Sequence, residues 1–131
     1  MKTSRGFTLI EIMLVLAVMA VLASITIFAF GNWRESVANN EMKNELTTIA
    51  TSLRNYRNFN NTYPGTAGGP TVAPTTLGLG YTAGQNVVSE YRLRADGNSY
   101  CIKATSTAIP ALSAWYLDSA TDGAPSHTAC S

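Results

Sequence analysis

One carboxylate stands where a carboxylate is expensive. From Phe7 to Phe30 the chain is almost wholly aliphatic or aromatic, and Glu11 is the only ionisable side chain between Phe7 and Trp33. An ionised acid inside a bilayer costs about 2.5 to 3.5 kcal/mol by insertion scales, so Glu11 calls for a cation or a hydrogen-bond partner. The other residues able to do chemistry lie beyond this stretch. They are Cys101 and Cys130, the single His127, and Arg54, Arg57, Arg92 and Arg94 with Tyr56 and Tyr91 interleaved.

Most of these point away from catalysis. His127 sits in Pro125-Ser126-His127-Thr128 with no further ligand cluster, so no metal site is expected. A Cys130–His127 nucleophilic pair is chemically conceivable, but an even cysteine count in an exported segment favours a Cys101–Cys130 disulfide. Gly65, Gly68 and Gly69 are followed by Pro70 and make turns rather than a phosphate-binding loop. No catalytic or cofactor-binding residue is expected. The arginines and tyrosines could form a patch that stacks and neutralises single-stranded DNA, or simply a solvated face. Asn60-Asn61-Thr62 fits the N-glycosylation pattern.

The overall charge also speaks against a nucleic-acid binder. Nine basic and eight acidic residues give a formal net charge of +1, and loss of Lys2 and Arg5 would bring it to about −1.

Glu11 must be positioned by the apolar stretch itself. As a helix, Phe7 to Phe30 would be roughly 36 Å long, enough to cross a hydrocarbon core of about 30 Å. Lys2 and Arg5 before it should remain cytoplasmic and send the C-terminal part outward. A secretory signal with Val21-Leu22-Ala23 before Ser24 is one reading, and a plain membrane anchor is another. Neither has a use for Glu11.

A third reading gives Glu11 a use. Arg5-Gly6-Phe7-Thr8-Leu9-Ile10-Glu11, followed by the aliphatic run Ile12 to Ala23, resembles the processing motif of the type IV pilin and prepilin-like family, which includes the secretion pseudopilins. The resemblance implies cleavage after Gly6 by a prepilin peptidase and methyltransferase, N-methylation of Phe7, and an assembly role for Glu11. Family members often carry a proline in the second half of the tract, and this chain has none there. Chemically, cleavage would create an ammonium on Phe7. In an apolar bundle that amine and the Glu11 carboxylate are each costly alone and tolerable as a pair. Glu11 is accordingly expected to neutralise Phe7 of a neighbouring copy, the alternative being contact with its own helix N-terminus, where the dipole favours negative charge.

Beyond Phe30 the pattern becomes one-sided. Ala38, Met42, Leu46, Ile49, Leu53 and Tyr56 recur at helical spacing, and no proline intervenes before Pro64. One helix from about Phe7 to Phe59 is predicted, about 80 Å long by the standard rise. About 70 remaining residues cannot bury such a helix, so its first half must find lipid or copies of itself. Asn60 to Asn86, broken by Pro and Gly, reads as a surface loop in which Leu77, Leu79 and Tyr81 could be anchors. Strands are predicted over Val88–Arg94, Tyr100–Thr105 and Ala114–Asp118, with Asp96-Gly97 turning the first hairpin. A Cys101–Cys130 bridge would close a loop around the third strand.

The expected fold class is α+β, the type IV pilin fold, with the second half of a long helix laid on a small antiparallel sheet. The expected organisation is a leader over 1–6, an apolar membrane and filament-core helix half over 7–30, an amphipathic half over 31–59, a loop over 60–86 and a sheet with a disulfide-bounded end over 87–131. The expected function is the structural subunit of a type IV pilus, a helical homo-oligomer handled by the pilus assembly machinery, inserted first in a membrane and then carried to the cell surface. A minor pilin or pseudopilin of a secretion or DNA-uptake system, and a membrane-anchored binding domain that does not polymerise, are the alternatives.

Overall fold

The computed structural model describes residues 6–130. The leader residues 1–5, with Lys2 and Arg5, and Ser131 lie outside the described residues. Helix α1 is assigned from Leu9 to Asn60, and the chain forms two compact units, one ending at Arg34 and one beginning at Glu35.

In the first unit every described side chain is exposed, including Leu9, Leu14 and Phe28. The hydroxyls in the second half of its apolar tract close on the helix itself: Ser24 Oγ donates to Ala20 O at 2.8 Å and Thr26 Oγ1 to Ala23 O at 2.8 Å. Bonds of this kind to the preceding turn leave no unmet donor on an otherwise apolar surface. The helix is long and apolar enough to cross a membrane.

In the second unit α1 buries Ala38, Met42, Leu46, Ile49 and Leu53 of the stripe that the periodicity picks out, together with Ala50, and Tyr56 is its half-buried end. The helix stops after Asn60. Asn61 adopts the left-handed conformation, with φ of 59°, and its amide donates to Arg57 O at 2.7 Å. Asn60 Nδ2 takes Tyr56 O at 3.0 Å, so two of the last carbonyls are satisfied.

Four antiparallel strands follow in the order β1 (Val87–Leu93), β2 (Tyr100–Ser106), β3 (Trp115–Asp118) and β4 (Pro125–Ser126). Their register sets Tyr91, Ile102 and Leu117 side by side. With Val87, Leu93, Tyr100 and Ala104 these form the buried face that packs with the α1 stripe. The two-residue period puts Glu90, Arg92, Cys101, Lys103 and Tyr116 on the opposite face. β4 lies beyond the three strands that the sequence predicts. A two-residue strand beginning with Pro carries no local signal and is made by its partner β3.

The β1–β2 turn is held by Asp96. Its carboxylate accepts from Ser99 Oγ at 2.6 Å and from the amides of Asn98 and Ser99 at 3.1 and 3.0 Å. The Ser99 hydroxyl first, then these amides, hold the Asp96 carboxyl below its ordinary range. Gly97 supplies the positive φ, 66°, that the turn requires.

The loop after α1 is pinned along β1. Val72 and Tyr91 exchange both backbone hydrogen bonds at 2.8 Å, and Gly68 N donates to Leu93 O at 3.2 Å. This strap pairs part of an edge that would otherwise be open. Tyr91 Oη donates to the Pro64 carbonyl at 2.8 Å in the interior. Burial, with the neighbouring Tyr100 and Tyr63, pushes the Tyr91 phenol well above its usual range. Leu77, Leu79 and Tyr81 are partly buried against the core, as expected of anchors.

Candidate functional site

The site that the sequence marks begins at the start of α1. Gly6, Phe7 and Thr8 are non-helical and exposed, and Phe7 keeps 80% of its surface. Thr8 is the N-cap. Its carbonyl accepts from Glu11 N at 3.1 Å and Ile12 N at 3.3 Å, and its Oγ1 accepts from Glu11 N at 3.3 Å. Glu11 reaches back: Oε2 accepts from Thr8 N at 3.4 Å and from Thr8 Oγ1 at 3.4 Å. This is a reciprocal capping box, loose in its distances, that satisfies two of the orphan donors of the first turn and sets a negative charge at the positive end of the helix dipole.

Thr8 is the residue that the sequence reading passed over. The signal was present as Thr8-x-x-Glu11 ahead of an apolar run. The alternative role for Glu11, contact with its own helix N-terminus, is therefore what the single chain adopts. Only Oε2 is engaged; Oε1 makes no hydrogen bond among the described residues. A carboxylate capped through one oxygen keeps acceptor capacity for a cation brought by another molecule.

Cys101 on β2 and Cys130 after β4 are joined in a disulfide, with Cα atoms 6.1 Å apart. The geometry is possible because Cys101 pairs across to Asp118 at the end of β3, and β4 returns the chain along β3. His127 takes part in packing. Its Nδ1–H donates to Ala114 O at 3.0 Å, and its ring lies 3.8 Å from that of Trp115. Lys43 Nζ sits 4.2 Å over the same indole, whose Nε1 donates to Asn39 Oδ1 at 2.9 Å.

Trp115 thus couples the C-terminal segment to α1 through a cation–π contact and one hydrogen bond across 76 positions. Trp115→Phe should keep an aromatic ring, though a smaller one, and lose the hydrogen bond. A drop of about 1 kcal/mol in the unfolding free energy is expected, read from thermal melts at constant pH. No change would mean that Asn39 is equally well served by water.

Arg92 and Arg94 share the outer sheet side, but the tyrosines named with them do not join them there. Tyr91 is in the core, Arg94 is ion-paired with Asp118, and Arg57 packs on Tyr63 with its guanidinium 4.9 Å from the ring. Arg92 lies on the outer sheet face. The alternation of β1 sends Tyr91 and Arg92 to opposite faces, which separates the stacking surface from the charge that a nucleic-acid strand would need.

Residues 1–27 match the family model of the prokaryotic N-terminal methylation motif. The chain is similar to the type II secretion system core protein G of Pectobacterium carotovorum subsp. carotovorum, at 34% identity over 77 residues, 53% of this chain and 49% of that protein. It is also similar to the type II secretion system protein H of Escherichia coli K12, at 42% identity over 53 residues, 40% of this chain and 30% of that protein. The chain thus spans half or less of the length of these relatives. No solved structure gives a significant match.

Proposed function

We propose that this chain, which carries the N-terminal methylation motif and is similar to type II secretion proteins G and H, is a type IV pilin-like structural filament subunit, cleaved between Gly6 and Phe7, N-methylated on Phe7 and polymerised through its N-terminal helix. The observation that carries the proposal is the apolar part of α1, exposed from Leu9 to Trp33 with Glu11 as its only charge. Surface of that kind is stable in lipid or against copies of itself.

The motif supplies the rest of the route. The precursor sits in a membrane through the apolar half of α1. Cleavage frees the Phe7 amine, and in the filament that amine meets Glu11 of an adjoining copy. Neither charge can enter an apolar bundle alone at small cost, so pairing lets a subunit leave the membrane only into the correct register. The work is structural, not catalytic, and the partners are other copies, the prepilin peptidase and methyltransferase, and the assembly machinery.

The leading reading is the repeated subunit of a type IV pilus at the cell surface, supported by a small disulfide-bonded unit beyond Arg34. A second reading, a pseudopilin of a secretion system, is favoured by the likeness to proteins G and H.

Intact mass and N-terminal sequencing of sheared surface filaments from the native host test the proposal. The expected species starts at methylated Phe7 and is two hydrogens lighter than the reduced chain. A start at Met1 or Ser24 overturns it. Absence from the sheared fraction, with processed protein retained in the membrane, favours the pseudopilin reading.

A further inference from the structure

The face of the sheet turned away from α1 carries a cavity of about 710 Å³. The Gly68–Thr71 strap bounds it on one side and the Cys101–Cys130 bridge on another. Its size is in the range of small-ligand sites. The proposed function does not use it.

Its charges are mixed and unevenly spent. Lys103 Nζ is 3.2 Å from Glu90 Oε2, and Arg94 is ion-paired through Nη2 with Asp118. Arg92 lines the same space and has no ion-pair partner among the described residues. The Arg94 Nε is buried and makes no hydrogen bond. Glu90 Oε1 accepts no hydrogen bond among the described residues, and Tyr116, directly opposite Lys103, adds an aromatic ring to the lining.

We propose that this cavity binds an acidic sugar, a pyranose bearing one carboxylate, with Arg92 taking the carboxylate. A single free guanidinium matches a single anionic group and can bind it through two parallel hydrogen bonds. The ring hydroxyls, each both donor and acceptor, suit a wall that offers a free carboxylate oxygen at Glu90 and donors at Lys103 and Arg94. Tyr116 offers the aliphatic face of the sugar an aromatic surface. A polyphosphate or a strongly acidic peptide fits less well, because its second and third charges would meet Glu90 and Asp96.

The test titrates galacturonate and neutral galactose into the full-length chain, held in a detergent without a sugar headgroup, and follows saturation-transfer NMR. Saturable binding of the acid sugar is expected, with the neutral sugar and the Arg92→Gln variant each weaker by about tenfold or more, the usual loss for a charge-assisted pair. Arg92 is exposed, so the variant should keep its fold, checked by circular dichroism and the disulfide mass. The proposal is overturned by no saturable binding at up to about 10 mM sugar, by neutral and acid sugars binding alike, or by Arg92→Gln binding within about twofold of the parent.

Discussion

Glu11→Gln subunits are expected to be made, inserted and folded, and to yield roughly two orders of magnitude fewer filaments than the parent. The substitution separates the capping contact that the structure shows from the assembly role proposed for the charge. Gln serves as well as Glu at the third position of a capping box, so the reach back to Thr8 survives. Only the charge is removed. If assembly depends on neutralising the Phe7 amine of a neighbour, that amine is left alone in an apolar bundle, at about 2.5 to 3.5 kcal/mol by insertion scales.

The measurement is the amount of this chain in the sheared surface fraction, relative to the membrane pool, with N-terminal sequencing to confirm cleavage after Gly6. Glu11→Leu should behave in the same way. Thr8→Ala should do the opposite, costing about 1 kcal/mol at the cap while filaments persist. Normal filaments from Glu11→Gln together with a defect in Thr8→Ala would assign Glu11 to capping alone.

Loss of the disulfide is the other large effect. Replacing Cys101 and Cys130 together by Ser should lower the stability of the second unit by about 3.5 kcal/mol, the loop-entropy value for a closure spanning 29 positions. For a unit of this size that corresponds to a fall in melting temperature of about 15 to 25 °C, followed by near-ultraviolet circular dichroism in detergent. The contacts on which the C-terminal segment depends explain the size of the effect. β4 is two residues long, and His127 is exposed on Trp115, so without the bridge little apolar burial holds this segment down. Reducing agent should reproduce the loss in the parent and leave the double variant unchanged. A loss below about 1 kcal/mol would show that β3 and the Trp115 contacts hold the segment unaided.

The sequence by itself determined the parts whose physics is local. A proline-free tract with a change from all-round to one-sided apolarity specifies a helix and the face that it buries. Ala38, Met42, Leu46, Ile49 and Leu53 are therefore buried as expected, Ala50 joins them and Tyr56 is half-buried. Alternation and an Asp-Gly turn specify the first hairpin, found as β1 and β2. Glu11 stood out because a carboxylate in an apolar tract is costly wherever the chain folds. Its capping partner Thr8, three residues away, is equally local, and the Thr-x-x-Glu spacing marks it.

Only the tertiary structure decided what depends on surfaces meeting across long separations. The strap from Gly68 to Val72 exists because β1 leaves an edge, and β4 exists because β3 does. Asn39 and Trp115 find each other only once helix and sheet are docked. Arg92 reads from sequence as one basic residue among several. Its place in a cavity, with no ion-pair partner among the described residues while Arg94 and Lys103 have theirs, follows from strand register and the return of the disulfide-bonded segment. Register and return are set by which packing buries the most apolar surface at once, a property of the whole unit that no window of neighbouring residues contains.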